Sequence, residues 1–477
     1  MRPTAPYSIR AERGNGVSTD LSIHRVTPTA ANTRAPHPAV PRSATSILLA
    51  IMVVASLAPS LLPRSSLTQA IVTGVAAALG LVLSAALHRM VCSIGTPTVR
   101  LPARRICSVG AIAAIAAATV ADARWQNSLR AAMGTEPTSA LHWAEMWCGA
   151  VSICAILVVF GVGFARGVRA LGAVRTTAAV VVAGLLGYGV IIPMTLTSLS
   201  DRFAVANASV DLSLPVPAAP RYSGSAQSSI GWDSLGREGR KFTTGGDDVG
   251  AVRTYVPVDA APTTALRASI AVQEMERAGG FTKSHVVLAV PTGSGWIDAN
   301  AVSGIEDRFG GDVATVGLQY SYQPSWATFL FAKSEARDSA KSMLDAVRTR
   351  IAALPPDSRP DLYVYGQSLG AIGGSAAVAE DPDGICGALW AGPPAGEVAS
   401  GQAVILANTS DPVIRWTSGL ITSPPDLDEA RVDAPMPRWI PLVSYVQTTV
   451  DLISALSAPA GHGHRYGDDQ GTSLPDC

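Results

Sequence analysis

The residues with the clearest chemical potential are Gly366-Gln367-Ser368-Leu369-Gly370, inside the stretch DLYVYGQSLGAIGGS at positions 361–375. The apolar run Leu362, Tyr363, Val364 and Tyr365 predicts a short buried strand, and the small residues after Ser368 predict a helix start. A serine at the apex of strand, sharp turn and helix is held so that its hydroxyl projects into a site. The flanking glycines let the backbone pass close to neighbouring elements. Ser368 is therefore a candidate nucleophile. In a chain with 44 glycines the bare pattern also fits an incidental turn, and it is the strand–turn–helix context that favours an elbow.

A serine hydroxyl needs a base to take its proton, and the base needs an acid to orient it. Between residues 231 and 477 the histidines are His285, His462 and His464. His285 opens an apolar run upstream of the serine, where a structural role is expected. In the elbow pattern the order along the chain is serine, acid, histidine, which selects the loop Gly461-His462-Gly463-His464. His-x-His with Asp468 and Asp469 nearby also suits a metal pair, but no third ligand lies at a recognisable spacing, so no metal or other cofactor is expected. For the acid, Asp411 follows the apolar run AVILA (403–407) within NTSDPVIRW, and Pro412 would help fix the turn. Asp426, Asp428 and Asp433 fall in a proline-rich stretch where solvated charge is the ordinary expectation.

The oxyanion formed by attack needs backbone N–H donors, one from Leu369 and one from a loop after an earlier strand. Pro291-Thr292-Gly293-Ser294-Gly295-Trp296 follows the apolar run HVVLAV, which makes Gly293, Ser294 and Gly295 the candidates, against the alternative of a simple tight turn. Trp296, Tyr320, Tyr322, Trp326 and Trp416 fall at or beyond expected strand ends and could line an apolar acyl pocket or simply pack.

Several elements must position these residues. Of the 477 residues, 48% are hydrophobic, 15% are charged and the formal net charge is zero. Mean hydropathy is +0.28, which in so long a chain points to membrane spans, while the neutral balance gives no sign of nucleic-acid binding. Residues 1–44, rich in Arg, Pro and Thr, predict a disordered basic tail. Five apolar stretches follow: 45–62, 67–87, 106–121, 143–165 and 175–199. The first is near the lower length limit for a span, and the third is short. Arginines alternate across them: six in the tail, Arg64 alone in the first loop, four in the second, Arg124 and Arg130 in the third, and Arg166 and Arg169 in the fourth. That is the positive-inside pattern of about five spans with a cytoplasmic N-terminus and a catalytic domain outside the cytoplasm. A cleaved signal peptide ending near Ala58 is the alternative for the first stretch, and loss of the third span would flip the parity. No paired charges mark an ion path within the spans, so an anchor or lipid-facing platform is expected, with the lipid bilayer as partner.

Residues 201–230, rich in Ser, Pro and Ala, read as a linker. From 231 to 477, strand and helix signals alternate. Strands are expected at 251–258, 285–291, 312–321, 385–391 and 403–407 besides the elbow strand, and helices at 265–277, 299–309 and 333–354. Near-continuous apolar strands alternating with helices imply a mostly parallel sheet flanked by helices. Six cysteines show no metal-ligand spacing; if this half lies outside the cytoplasm, Cys386 and Cys477 are the two that could pair there, a free terminal thiol being the alternative.

Taken together, SLAPSLLPR near Leu57, TGSGWID (292–298), LQYSYQPSW (318–326), YGQSLG (365–370), SDPVIRW (410–416) and GHGHRYG (461–467) resemble the blocks of a bacterial, actinobacterial-type family of membrane-anchored α/β-hydrolases with a multi-span N-terminal region. The resemblance implies a transmembrane bundle followed by an α/β-hydrolase domain, with Ser368, Asp411 and the GHGH loop at the catalytic positions. His464 is favoured over His462 because Gly463-His464-Arg465-Tyr466 resembles the Gly-His-x-aromatic surroundings of the base in this superfamily. Gln367 departs from the acidic residue expected there. The resulting expectation is an integral membrane serine hydrolase acting on ester-like, lipid or cell-envelope substrates through an acyl-enzyme. An acyltransferase of the same fold and a non-catalytic membrane scaffold are the alternatives.

Overall fold

The computed structural model describes residues 42–94, 101–244, 250–398, 401 and 403–477. The expected tail at 1–44 lies almost wholly outside the described residues, as does the side chain of Trp326.

Six helices make the N-terminal region: α1 (Ser43–Ser56), α2 (Ser66–Ile94), α3 (Leu101–Ala132), α4 (Ala140–Leu171), α5 (Ala173–Leu186) and α6 (Ile192–Ala208). Helices over Ser66–Ile94, Leu101–Ala132, Ala140–Leu171 and Val174–Ile191 are long and apolar enough to cross a membrane. The third stretch, marginal when read as 106–121, thus belongs to a helix of 32 residues. Large apolar side chains on these helices, such as Phe160 and Phe164, stay exposed, as a lipid-facing surface would leave them.

The first stretch behaves differently from expectation. Its helix has only 14 residues and stops at Ser56. Pro59 and Pro63 cannot continue the hydrogen-bond ladder, so residues 57–64 leave the helical path as an irregular strap held against α3. Leu61 and Leu62 are buried in a cluster with Leu129 of α3, with Met133 just after it, and with Ala434 and Ala458 of the C-terminal region. These apolar side chains are covered by protein rather than by lipid.

The C-terminal region is a six-stranded, all-parallel sheet of β1 (Val252–Val256), β2 (His285–Val290), β3 (Val313–Leu318), β4 (Asp361–Gln367), β5 (Gly387–Ala391) and β6 (Val404–Leu406), in the order β1-β3-β2-β4-β5-β6. The helices are α7 (Gly236–Thr244), α8 (Thr264–Arg277), α9 (Ala299–Arg308), α10 (Ser325–Phe331), α11 (Lys333–Ala352), α12 (Leu369–Glu380), α13 (Val443–Asp451) and α14 (Asp469–Thr472). Strands β1 to β5 are buried almost throughout, which explains the apolar runs of β2, β4 and β5, while the buried Arg253 of β1 is paired with Glu306. The order reverses between β2 and β4, so the crevice at their C-terminal ends is where such a sheet presents a site. Cys386, just before β5, is joined to Cys477 by a disulfide that ties the end of the chain to the sheet.

The strap and α13 are held together by a buried ion pair. Arg64 donates from Nε and Nη2 to Asp451 Oδ1 at 2.9 and 2.8 Å, and Leu61 N donates to Asp451 Oδ2 at 2.8 Å. Arg64 Nη2 also reaches the Gln447 carbonyl, while Gln447 Nε2 donates to the carbonyls of Ala55 and Ser56. Removing one partner of a buried pair leaves an uncompensated charge, at a cost of about 3–5 kcal/mol. Arg64→Ala is therefore expected to lower the Tm of the full chain in detergent sharply. Arg64→Met combined with Asp451→Leu should recover much of the loss, and a single variant that melts like the parent would show the junction to be loose.

Candidate active site

Ser368 caps α12 at the end of β4 with φ +54° and ψ −118°, a positive φ that a residue with a side chain adopts only under constraint. Its N–H donates to the Ala391 carbonyl at 2.9 Å, fixing the apex to the end of β5. The two glycines of the pattern are required by close approach. A Cβ on Gly366 would lie 2.5 Å from the Gly370 backbone, and one on Gly370 would lie 2.2 Å from the Val290 carbonyl oxygen at the end of β2. Ser368 itself is half-buried between buried neighbours, and Leu369, first in α12, has an N–H that no preceding helical turn can bind.

The acid and one histidine of the GHGH loop meet beside this elbow. His464 Nδ1 lies 2.7 Å from Asp411 Oδ2. A carboxylate accepts, so Nδ1 carries the proton and Nε2 is left with its lone pair. Asp411 is fully buried and also accepts from Tyr466 Oη at 2.8 Å and from Val413 N at 2.8 Å. Burial and the Asp411 charge push the Tyr466 hydroxyl well above the ordinary tyrosine range, so it remains a donor. A Cβ on Gly392, one residue past the Ala391 that binds Ser368 N, would lie 2.9 Å from Asp411 Oδ2, which puts the carboxylate next to the elbow.

His462 goes elsewhere. Its Nδ1 is 3.3 Å from Asp433 Oδ2, so the two histidines of the loop are divided between two carboxylates. His285, at the start of β2, stacks on Phe309 with ring centroids 4.1 Å apart, at the opposite end of the sheet.

In the loop after β2, Gly295 N donates to the Thr292 carbonyl at 2.9 Å, and the carbonyls of Gly295 and Ser294 are taken by Tyr255 Oη and Gln319 Nε2. The Gly295 N–H is thus already engaged, whereas those of Gly293 and Ser294 have no partner among the described residues. Of the aromatic residues, Tyr320 packs with Leu369 and Ile372, and Trp416 stacks on Tyr445 of α13. Among the described residues, the grouping of possible metal ligands is Asp361 with Cys386 and Cys477, and those two sulfurs are bonded to each other.

Residues 252–404 and 397–474 match the model of an alpha/beta-hydrolase family, and residues 57–246 match that of the same family's N-terminus. The chain belongs to this α/β-hydrolase family. No curated protein and no solved structure matches it.

Three residues of this chain near the candidate site carry no sequence signal that marks them as site residues. Gln367 is buried, and its Nε2 donates to the His464 carbonyl at 3.1 Å, a bond that an ionised carboxylate at this position could not make. Tyr466 entered only as the aromatic neighbour of His464. Asp433, expected to be solvated, has a side chain only 4% exposed. It accepts from Thr409 Oγ1, Ser410 N, Ser410 Oγ and Gly463 N as well as His462. One carboxylate thereby joins the loop carrying Asp411 to the loop carrying His464. Nothing local to the sequence distinguishes Asp433 from Asp426 or Asp428, which are exposed.

Arg415 lies buried among Asp411, Asp433 and Asp451; burial lowers its pKa to about 10 against the pull of the three carboxylates. It donates from Nε to the Thr409 carbonyl at 2.8 Å. Asp433→Ala is expected to speed amide exchange at Ser410 and Gly463 by at least about tenfold, since hydrogen bonds to a charged acceptor are worth about 1.5–3 kcal/mol. Unchanged exchange in this variant would show that other contacts hold the two loops.

Proposed function

We propose that this α/β-hydrolase is a membrane serine hydrolase of ester-like substrates. The observation that carries the reading is the His464–Asp411 pair at 2.7 Å beside a serine held at φ +54° on an elbow. Ser368 Oγ attacks the acyl carbonyl and His464 Nε2 takes the hydroxyl proton. Asp411 stabilises the imidazolium through the Nδ1–H bond. The N–H groups of Leu369 and of Gly293 or Ser294 receive the oxyanion, in the places the fold family uses for this role. His464 then protonates the departing alcohol, leaving an acyl-serine. Water activated by His464 releases the acid and regenerates Ser368. An alcohol acceptor in place of water would make the same site an acyltransferase, and a domain with this geometry that never turns over would be a scaffold.

A bundle of apolar helices joined to the hydrolase domain by a buried strap favours lipid or cell-envelope esters, since it would hold the site at a membrane surface. The Cys386–Cys477 disulfide supports an extracytoplasmic hydrolase domain, because such bonds persist in oxidising compartments.

A fluorophosphonate probe is expected to label the full chain in membranes, and Ser368→Ala should abolish labelling while leaving the Tm within a few degrees of the parent. A folded protein that never labels would sink the enzyme reading and leave the scaffold. Hydrolysis of a p-nitrophenyl acyl ester with and without an added alcohol separates hydrolase from acyltransferase by the product formed. For topology, alkaline phosphatase fused after Cys477 should be active and a reporter that works only in the cytoplasm should be silent; the reverse result would overturn the external placement.

A further inference from the structure

The apolar part of α3 ends where its polar residues begin. Val120 is exposed, as a lipid-facing residue would be, and the next turn carries Asp122, Arg124 and Trp125. A tryptophan beside charges at the end of an apolar helical run is the composition of the headgroup layer. At this level a cavity of about 300 Å³ opens between α3 and the strap, lined by Leu57, Pro59, Ala121, Asp122, Arg124, Trp125 and Ser128.

Two features of the cavity wall indicate what it would take. Asp122 is 3% exposed; Arg64 and Gln126 interact with its carboxyl, and its Oδ2 has no hydrogen-bond partner. A buried carboxylate oxygen left open is costly unless something outside the protein completes it. Arg124 is exposed and forms no ion pair among the described residues. Trp125 has its Nε1 committed to the Ser60 carbonyl at 2.9 Å, which fixes the indole and leaves it as an apolar wall. The polar wall thus offers one buried carboxyl with an unfilled oxygen and one exposed cation, two positions apart on α3, beside an apolar strap.

We propose that this cavity binds the headgroup of an amine-bearing zwitterionic phospholipid, with its ammonium on Asp122 and its phosphate on Arg124. The acyl chains would run down the exposed apolar face of α3. An ammonium supplies the donor that Asp122 Oδ2 lacks, and charge-assisted contacts of this kind are the strong ones. A headgroup without the amine could satisfy Arg124 but would offer Asp122 only uncharged hydroxyl donors. The site is separate from Ser368, although Pro59 lines both this cavity and the groove beside Arg415 and Gln447, so a lipid docked here would brace the strap against the hydrolase domain. The inference rests on the apolar helices lying in a bilayer and is independent of catalysis.

The test uses the full chain carrying Ser368→Ala, so that a failure of the hydrolase reading does not affect it. The protein is purified in detergent, exposed to an equimolar mixture of dioleoyl phosphatidylethanolamine and dioleoyl phosphatidylglycerol, and the retained lipid is measured by mass spectrometry. Retention of the ethanolamine lipid is expected to exceed that of the glycerol lipid by about tenfold, the factor corresponding to one charge-assisted contact. Asp122→Asn, nearly isosteric, should bring the ratio close to one, and Arg124→Gln should lower retention of both lipids. Soluble phosphoethanolamine should fail to displace the lipid at equal concentration. Retention in the ratio supplied, or a ratio unchanged by Asp122→Asn, would overturn the proposal. Displacement by phosphoethanolamine would overturn the lipid source in favour of a soluble ligand.

Discussion

Buried carboxylates must be given donors and counter-charges, and that requirement organises the region around Ser368. Asp411, Asp433 and Asp451 lie close enough to Arg415 to draw on its charge, and none is left to water. A charge removed from water is tolerated only when its geometry is good and its remaining lone pairs are filled. Asp411 is completed by His464, Tyr466 and Val413; Asp433 by two serine donors, Thr409, Gly463 and His462; Asp451 by Arg64 and Leu61. Each set draws a different loop to the same place. Loops that would otherwise be mobile at the end of a sheet are held by acceptors that cannot be left unsatisfied.

The same requirement connects the apolar helices to the α/β domain. Arg64 sits on a strap that has left α1, and its partner lies on α13, 387 residues further along the chain. The Arg64 backbone is also engaged, its N–H by Gln126 and its carbonyl by Arg130, both on α3. A Cβ on Gly463 would come within 3.0 Å of Leu62 Cδ2, so the strap touches the loop that carries His464. The N-terminal region is therefore more than an anchor at the end of a tether. It forms part of the wall against which the histidine loop is packed, and a hydrolase domain separated from it would expose Ala434, Ala458 and an unpaired Asp451.

The elements of the C-terminal half were legible because the signals that define them are local. Strands buried on both faces must be apolar at every position, and HVVLAV and LYVY satisfy that without reference to any partner. The amphipathic repeat of α11, with Ala336, Ala340, Met343, Leu344 and Val347 buried, has a period that can only be helical. The elbow was legible for a steric reason: Gly366 and Gly370 stand where any Cβ would strike backbone. The end of the first apolar stretch, 45–62, reads as part of a span because hydropathy registers how apolar a segment is and not what covers it. Pro59 and Pro63 divert it, and protein rather than lipid buries Leu61 and Leu62.

By itself the sequence determined the bundle of apolar helices, the parallel sheet, the position of Ser368 at the end of β4, and the order in which an acid and a histidine loop follow. Those depend on periodicity, on backbone sterics and on chain order. Only the tertiary structure decided that His464 meets Asp411 while His462 meets Asp433, that Asp433 is buried while Asp426 and Asp428 are not, and that Arg64 reaches across to Asp451. The physical reason is one of range. A hydrogen bond discriminates between partners over a few tenths of an ångström, and the distance between two loops is set by the packing of the whole sheet and its helices rather than by the residues on either side.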